Sequence, residues 1–288
     1  MKAVIQVTKR HFASYVITLA LTIMFFFIGV LIPLNFTLLN KQRVLTQFLS
    51  DDYISSARAD FFEAEKAYAQ PNGVDESVYK DIFTYSSFKS CISNYFIKTV
   101  NNGAQYDISS DTKSMRDALT KALEDSYTKD GIEITPSVKT DIDSFTAQTF
   151  VIFSKVITVK YIEKYAQICT AYSRGAAVCT FAVLIVACML IWALFRLSGM
   201  RHHAMNYLIY ALSASAILTA VPAVWGGCTK IWQHITLTPD YVFNAVSGEI
   251  RSLFISFGIS AAVFAVFAVI CFLIEESLRK DELSQLKK

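Results

Sequence analysis

The chain has 288 residues, of which 53% are hydrophobic and 18% charged, with a formal net charge of +3. That balance is too apolar for an ordinary soluble domain and lies far from the polar, highly charged composition of disorder. The small and dispersed positive charge offers no polyanion-binding patch, so nucleic acid is not an expected partner.

Residues 1–11 form a short flank carrying Lys2, Lys9 and Arg10. From Phe12 to Asn40 there is no Asp, Glu, Lys or Arg, a run longer than the roughly 20 residues a helix needs to cross a hydrocarbon core. This predicts a first transmembrane helix over 12–40. Its apolar run is about twice the length of a signal-peptide core, and no small-x-small cleavage pattern follows Pro33, so it reads as an uncleaved signal anchor.

Residues 41–173 have helical hydrophobic periodicity throughout. Phe48, Tyr53, Ala57, Phe61, Glu65 and Tyr68 recur at three-to-four spacing; Val78, Ile82, Tyr85, Phe88, Ile92 and Tyr95 do the same, as do Met115, Leu119, Ala122 and Tyr127. Pro71-Asn72-Gly73, Asn101-Asn102-Gly103 and Asp130-Gly131 supply the stops. Asp75, Ser110 or Asp111, and Thr135 are the expected N-caps, with Pro136 suited to a first helical position. From Pro136 the stripe meets no breaker before Gly175, so a fourth helix is expected to run directly into the second span. An even number of helices then closes into an up-down bundle outside the cytoplasm.

Three more charge-free runs follow: Gly175 to Phe195, His202 to Thr229 and Ser252 to Ile274. They predict transmembrane helices over 174–196, 205–227 and 252–274, separated by a cytoplasmic loop (197–204) and an extracytoplasmic loop (228–251), with a cytoplasmic tail over 275–288. Arg196, Arg201, Arg279, Lys280, Lys287 and Lys288 sit on the flanks shared with Lys2, Lys9 and Arg10, against only Lys230 and Arg251 in the opposite loop. Basic flanks are retained inside, so both termini are expected in the cytoplasm of a multi-pass plasma-membrane protein. Short positive inner loops and no organelle signal point to a bacterial source.

In the 228–251 loop, Thr238-Pro239-Asp240 reads as a helix start at Pro239, while Trp232 and Tyr241, with Trp225 at the end of the third span, suit an interfacial aromatic belt. A re-entrant element over Lys230 to Leu237 is the alternative for its first half.

None of the four runs carries an ionisable residue in its interior, the usual mark of a proton or ion path. Their polar rows are Thr18 and Thr22 on the first, Ser213, Ser215 and Thr219 on the third, and Ser256 and Ser260 on the fourth. Helix packing is the expectation for these rows, and a substrate path the competing one. Of six cysteines, Cys91, Cys169 and Cys228 fall outside the spans. Cys169 and Cys228 are expected at matching depth, which makes them the disulfide candidate against buried thiols. His234 shares its loop with Cys228, Asp240 and Glu249 but lacks zinc-motif spacing. No hydrolase, phosphate-loop, metalloprotease or dinucleotide pattern is present, and no histidine lies between His11 and His202. No catalytic residue, cofactor or metal ligand is therefore assigned.

The anchor through Leu34, the Asp51-Asp52-Tyr53-Ile54 opening, the Thr135-Pro136 helix start and the closing three-span unit together give the chain its character. In these it resembles uncharacterised bacterial four-span integral membrane proteins with a helical extracytoplasmic domain between spans 1 and 2. The outer segment is also similar in layout to chemoreceptor sensing domains, although the cytoplasmic signalling region of those proteins has no counterpart here. The expected class is an all-α membrane protein whose partners are the lipid bilayer and either another membrane protein or further copies of itself. The expected function is non-enzymatic binding of a ligand or protein by the outer domain, as a sensor, accessory or scaffold subunit. The alternative is a channel or transporter component formed by oligomerisation of the four-span unit.

Overall fold

The computed structural model describes residues 2–198 and 200–286. The flanking residues Lys287 and Lys288 lie outside the described residues, as do the side chains of Lys2, Lys9 and Arg10. Among the described residues every regular element is a helix: α1 (Lys2–Phe36), α2 (Lys41–Phe48), α3 (Asp51–Ala69), α4 (Glu76–Lys80), α5 (Tyr85–Asn102), α6 (Ser109–Lys129), α7 (Pro136–Ile157), α8 (Lys160–Leu197), α9 (Arg201–Thr229) and α10 (Asp240–Leu286). Two single 3-10 turns, Gln70–Asn72 and Ile231–Gln233, complete the set.

Four of these helices are long and apolar enough to cross a membrane, with windows over His11–Phe36, Tyr161–Leu197, Arg201–Thr229 and Asp240–Lys280. They place the chain in the class of all-helical, multi-pass membrane proteins.

The chain divides into two compact units. The apolar unit comprises Met1–Asn40, Tyr172–Ile235 and Ser247–Lys288. Here α1 packs along α9, and Leu21, Phe25, Ile28, Ala204, Leu208 and Ala211 form the centre of its core. Close approach depends on Gly29: a Cβ there would lie 2.7 Å from Thr219 Oγ1 and 2.8 Å from the Phe264 ring, nearer than atoms can pack without displacement.

The inserted unit comprises Lys41–Ala171 and Thr236–Val246. Its helices start where the local chemistry satisfies orphan amides. The Ser50 hydroxyl accepts from Tyr53 N and the Thr135 hydroxyl from Val138 N, while Asp51 and Asp52 lie in the first turn of α3, where negative charge is favoured. Gly103 and Gly131 close α5 and α6 in the left-handed region, at φ +67° and +78°, which is open to glycine at little cost.

The core is aromatic. Phe61 of α3, Phe83 of the α4–α5 link, Phe88 of α5 and Phe153 of α7 converge, with ring centroids 4.5 Å apart for Phe61–Phe83 and 5.0 Å for Phe88–Phe153. Pairs of this kind contribute roughly 0.5–1.5 kcal/mol each beyond their buried area.

Several boundaries differ from the sequence expectation. The second stripe is not one helix: Asp75 caps only the short α4, after which Phe83 turns into the core and the Thr84 hydroxyl starts α5 by accepting from Ser87 N. Helix α6 begins at Ser109, because the Asp107 carboxylate accepts from Ser109 N and Oγ and so replaces Ser110 or Asp111 as the initiating group. Helix α10 begins at Asp240, one residue after Pro239, whose carbonyl accepts the first amide bonds from Val242 and Phe243.

The largest correction concerns the fourth bundle helix. It does not run unbroken into the second apolar run but stops at Ile157, and α8 starts at Lys160. Val156, Ile157, Thr158 and Val159 are four consecutive β-branched residues, each losing side-chain freedom against the preceding helical turn. Thr158 adopts an extended conformation (φ −84°, ψ 121°). Gly175, by contrast, lies inside α8 without interrupting it.

Candidate functional site

The α7–α8 joint leaves the Val156 carbonyl without its helical partner, while the Val159 carbonyl accepts from Ile162 N at 3.1 Å; two tyrosines from elsewhere in the inserted unit reach these carbonyls. Tyr241 OH donates to the Val156 carbonyl at 3.2 Å, and Tyr95 OH donates to the Val159 carbonyl at 3.4 Å. Burial pushes the Tyr95 hydroxyl up to about 12, so it stays a donor across the physiological range.

Tyr241 belongs to the segment expected to form an interfacial belt, yet it is 6% exposed and shares the core of the inserted unit with Val242 and Ala245. Its ring stands edge-on to Tyr53 at 5.0 Å, and Tyr53 in turn meets Phe48 at 5.4 Å and Phe96 at 6.0 Å. The Tyr53 hydroxyl is buried without a hydrogen-bond partner among the described residues, and desolvation raises its pKa.

Over this tyrosine pair lies an open polar cleft made of two adjoining hollows. The first, about 160 Å³, is lined by Gln47, Ser50, Asp52, Tyr53, Ser56, Tyr241, Asn244 and Ala245. The second, about 480 Å³, is lined by Ser56, Ala59, Asp60, Pro239, Asp240, Tyr241 and Asn244. Three carboxylates, Asp52, Asp60 and Asp240, line the cleft with no Lys or Arg among the lining residues. Desolvation, then the negative charges of Glu63 and Asp240, hold the Asp60 carboxyl above its ordinary value. The cleft therefore presents three carboxylates, amide and hydroxyl groups and an aromatic floor, a set suited to a ligand bearing a cationic group.

Sequence reasoning had Asp52, Tyr53, Asp240 and Tyr241 in view as helix-start or interfacial residues, but nothing in their spacing announces that 47–60 and 239–245 meet. The Thr238-Pro239-Asp240 helix start was the nearest signal, since it marks where α10 begins.

The polar rows lie in the apolar unit. Thr18, Thr22, Ser215 and Ser256 donate to the carbonyls of Ser14, Thr18, Ala211 and Ser252, each four residues earlier on the same helix. Ser215 also reaches across to the Thr22 carbonyl at 2.9 Å, which joins α9 to α1. Thr219 is fully buried against Gly29, while Ser213 and Ser260 are half-buried. A polar link not read from sequence joins Asn35 Nδ2 to Thr180 Oγ1 at 3.0 Å.

Among the described residues all six cysteines are thiols, so Cys169 and Cys228 are not joined here; Cys169 is buried and Cys228 exposed. No group of three or more His, Cys, Asp or Glu among the described residues is placed to hold a metal ion. No family model, curated protein or solved structure matches this chain.

Proposed function

We propose that the chain is a non-enzymatic integral membrane protein whose inserted helical unit lies outside the cytoplasm and binds a cation-bearing ligand or protein segment, serving as a sensor, accessory or scaffold subunit. One observation carries this reading. The two segments that flank charge assigns to the same side of the membrane contribute Lys41–Ala171 and Thr236–Val246 to one compact unit, and the acidic cleft is built where they meet. Both termini are then cytoplasmic, in the plasma membrane of a bacterial cell. A channel component formed by oligomerisation is the second reading, and the Ser215 bond to Thr22 favours packing over it, because that hydroxyl is used between helices.

The test places a photocrosslinking residue at Asn244 in the cleft, and separately at Lys121 on α6, in the full chain in its native membrane. An adduct from position 244 that is lost with Asp60→Lys, and absent from position 121, is the expected outcome. Equal adducts from both positions, or none from 244, would overturn the cleft as the binding surface.

A further inference from the structure

Glu65 lies on the core face of α3, is fully buried, and has no place in the cleft. Its Oε1 accepts a hydrogen bond from Thr149 Oγ1 of α7 at 2.7 Å, while Oε2 is buried without a hydrogen-bond partner among the described residues. The titratable groups that sense its charge are the hydroxyls of Tyr68, on the same helix, and Tyr79, on α4. From α7 the facing side chains are Phe145, Thr146, Thr149, Phe150 and Phe153, while that helix's own ionisable residues, Lys139, Asp141, Asp143 and Lys155, are exposed. From α5 the buried face offers Cys91 and Tyr95, neither of them cationic at neutral pH, and its Lys89 and Lys98 lie outside the core.

We propose that Glu65 makes the packing of α3 on α7 proton-dependent, so that the inserted unit tightens as its surroundings acidify. A carboxylate in this position would be a buried charge with a single neutral donor and no cation to offset it, whereas the protonated acid is close to an isostere of glutamine. Desolvation accordingly holds the Glu65 carboxyl above its ordinary value, opposed only by the Thr149 hydrogen bond.

The sign follows from linkage. Below the ordinary glutamate value both folded and unfolded chains hold the proton, and the packing bears no charge. As pH rises toward the raised value, the unfolded chain releases a proton that the folded unit keeps, so the opening equilibrium shifts by up to about tenfold per pH unit. In the orientation proposed above, the pH being read is the one outside the cell. The proposal is independent of the cleft, because no cleft residue takes part in it.

The experiment is hydrogen exchange on the full chain in detergent micelles at a series of pH values from about 5 to about 8, corrected for intrinsic exchange rates. Protection of the α3 and α7 amides is expected to fall as pH rises, and Glu65→Gln is expected to remove that slope. A flat wild-type profile, or a Glu65→Gln profile with the same slope, overturns the proposal. Thr149→Val keeps the test decisive if the glutamine variant does not fold. Losing the bond that favours the charged form must extend the fall in protection to higher pH, and a profile coincident with wild type counts against the assignment.

Discussion

Tyr241 OH donates to the Val156 carbonyl at 3.2 Å, the position that the Lys160 amide would take in an unbroken helix. A residue from the first turn of α10 thus satisfies the end of α7, a helix more than eighty residues earlier in the chain. The joint is defined by tertiary packing as much as by its own four β-branched residues.

Tyr241→Phe removes that bond and leaves the ring in place. It is expected to cost about 1 kcal/mol, the usual net value of one hydrogen bond, read as roughly fivefold faster amide exchange across 154–162. Tyr241→Ala should cost about 3–5 kcal/mol, as for other large aromatic truncations in a core. Unchanged exchange in the phenylalanine variant would mean that the hydroxyl does not hold the joint.

Gly29→Ala should destabilise the apolar unit by about 1–3 kcal/mol, the cost of overpacking, because the new methyl group meets Thr219 and Phe264. Gly227→Ala is the control, since nothing lies within 4 Å of its Cβ position. Denaturant titration of the full chain in micelles measures both; equal midpoints would show that α1 and α9 can separate without cost.

Ser215→Ala removes the one hydroxyl proton shared between the Thr22 carbonyl of α1 and the Ala211 carbonyl of its own helix, whereas Ser256→Ala loses only the bond to the Ser252 carbonyl. The first should cost about 0.6 kcal/mol, the average for interhelical hydrogen bonds in membranes, and the second should leave the unfolding midpoint unchanged. A larger effect at Ser256 would reverse the assignment of these rows to packing.

Cys228 is exposed, while Cys91 is 3% exposed and burial pushes its thiol up to about 11, so little thiolate is present at neutral pH. A membrane-impermeant maleimide added to intact cells should label Cys228, and should reach Cys91 only after denaturation. Labelling of Cys228 in inverted vesicles alone would place the 228–251 loop on the cytoplasmic side.

The apolar runs, the helical stripes and most stops were legible because each rests on neighbours in sequence. Charge-free length makes a span candidate, three-to-four spacing makes a core face, and Gly103 or Gly131 ends a helix through its own backbone freedom. Even Glu65 could be seen on the stripe between Phe61 and Tyr68, although its consequence could not. Whether an acid on a core face finds a cation depends on what α7 and α5 bring to it.

Sequence alone therefore determined the all-helical class, the four helices long and apolar enough to cross a membrane, and the glycine stops at Gly103 and Gly131, all of them local consequences of hydrophobic period and backbone preference. Only tertiary structure decided that Thr236–Val246 folds with Lys41–Ala171, that Tyr95 and Tyr241 hold the α7–α8 joint, and that Gly29 lets α1 approach α9. Those outcomes depend on which side chains meet across long separations, where packing and the pairing of buried polar groups outweigh the preferences of any single segment.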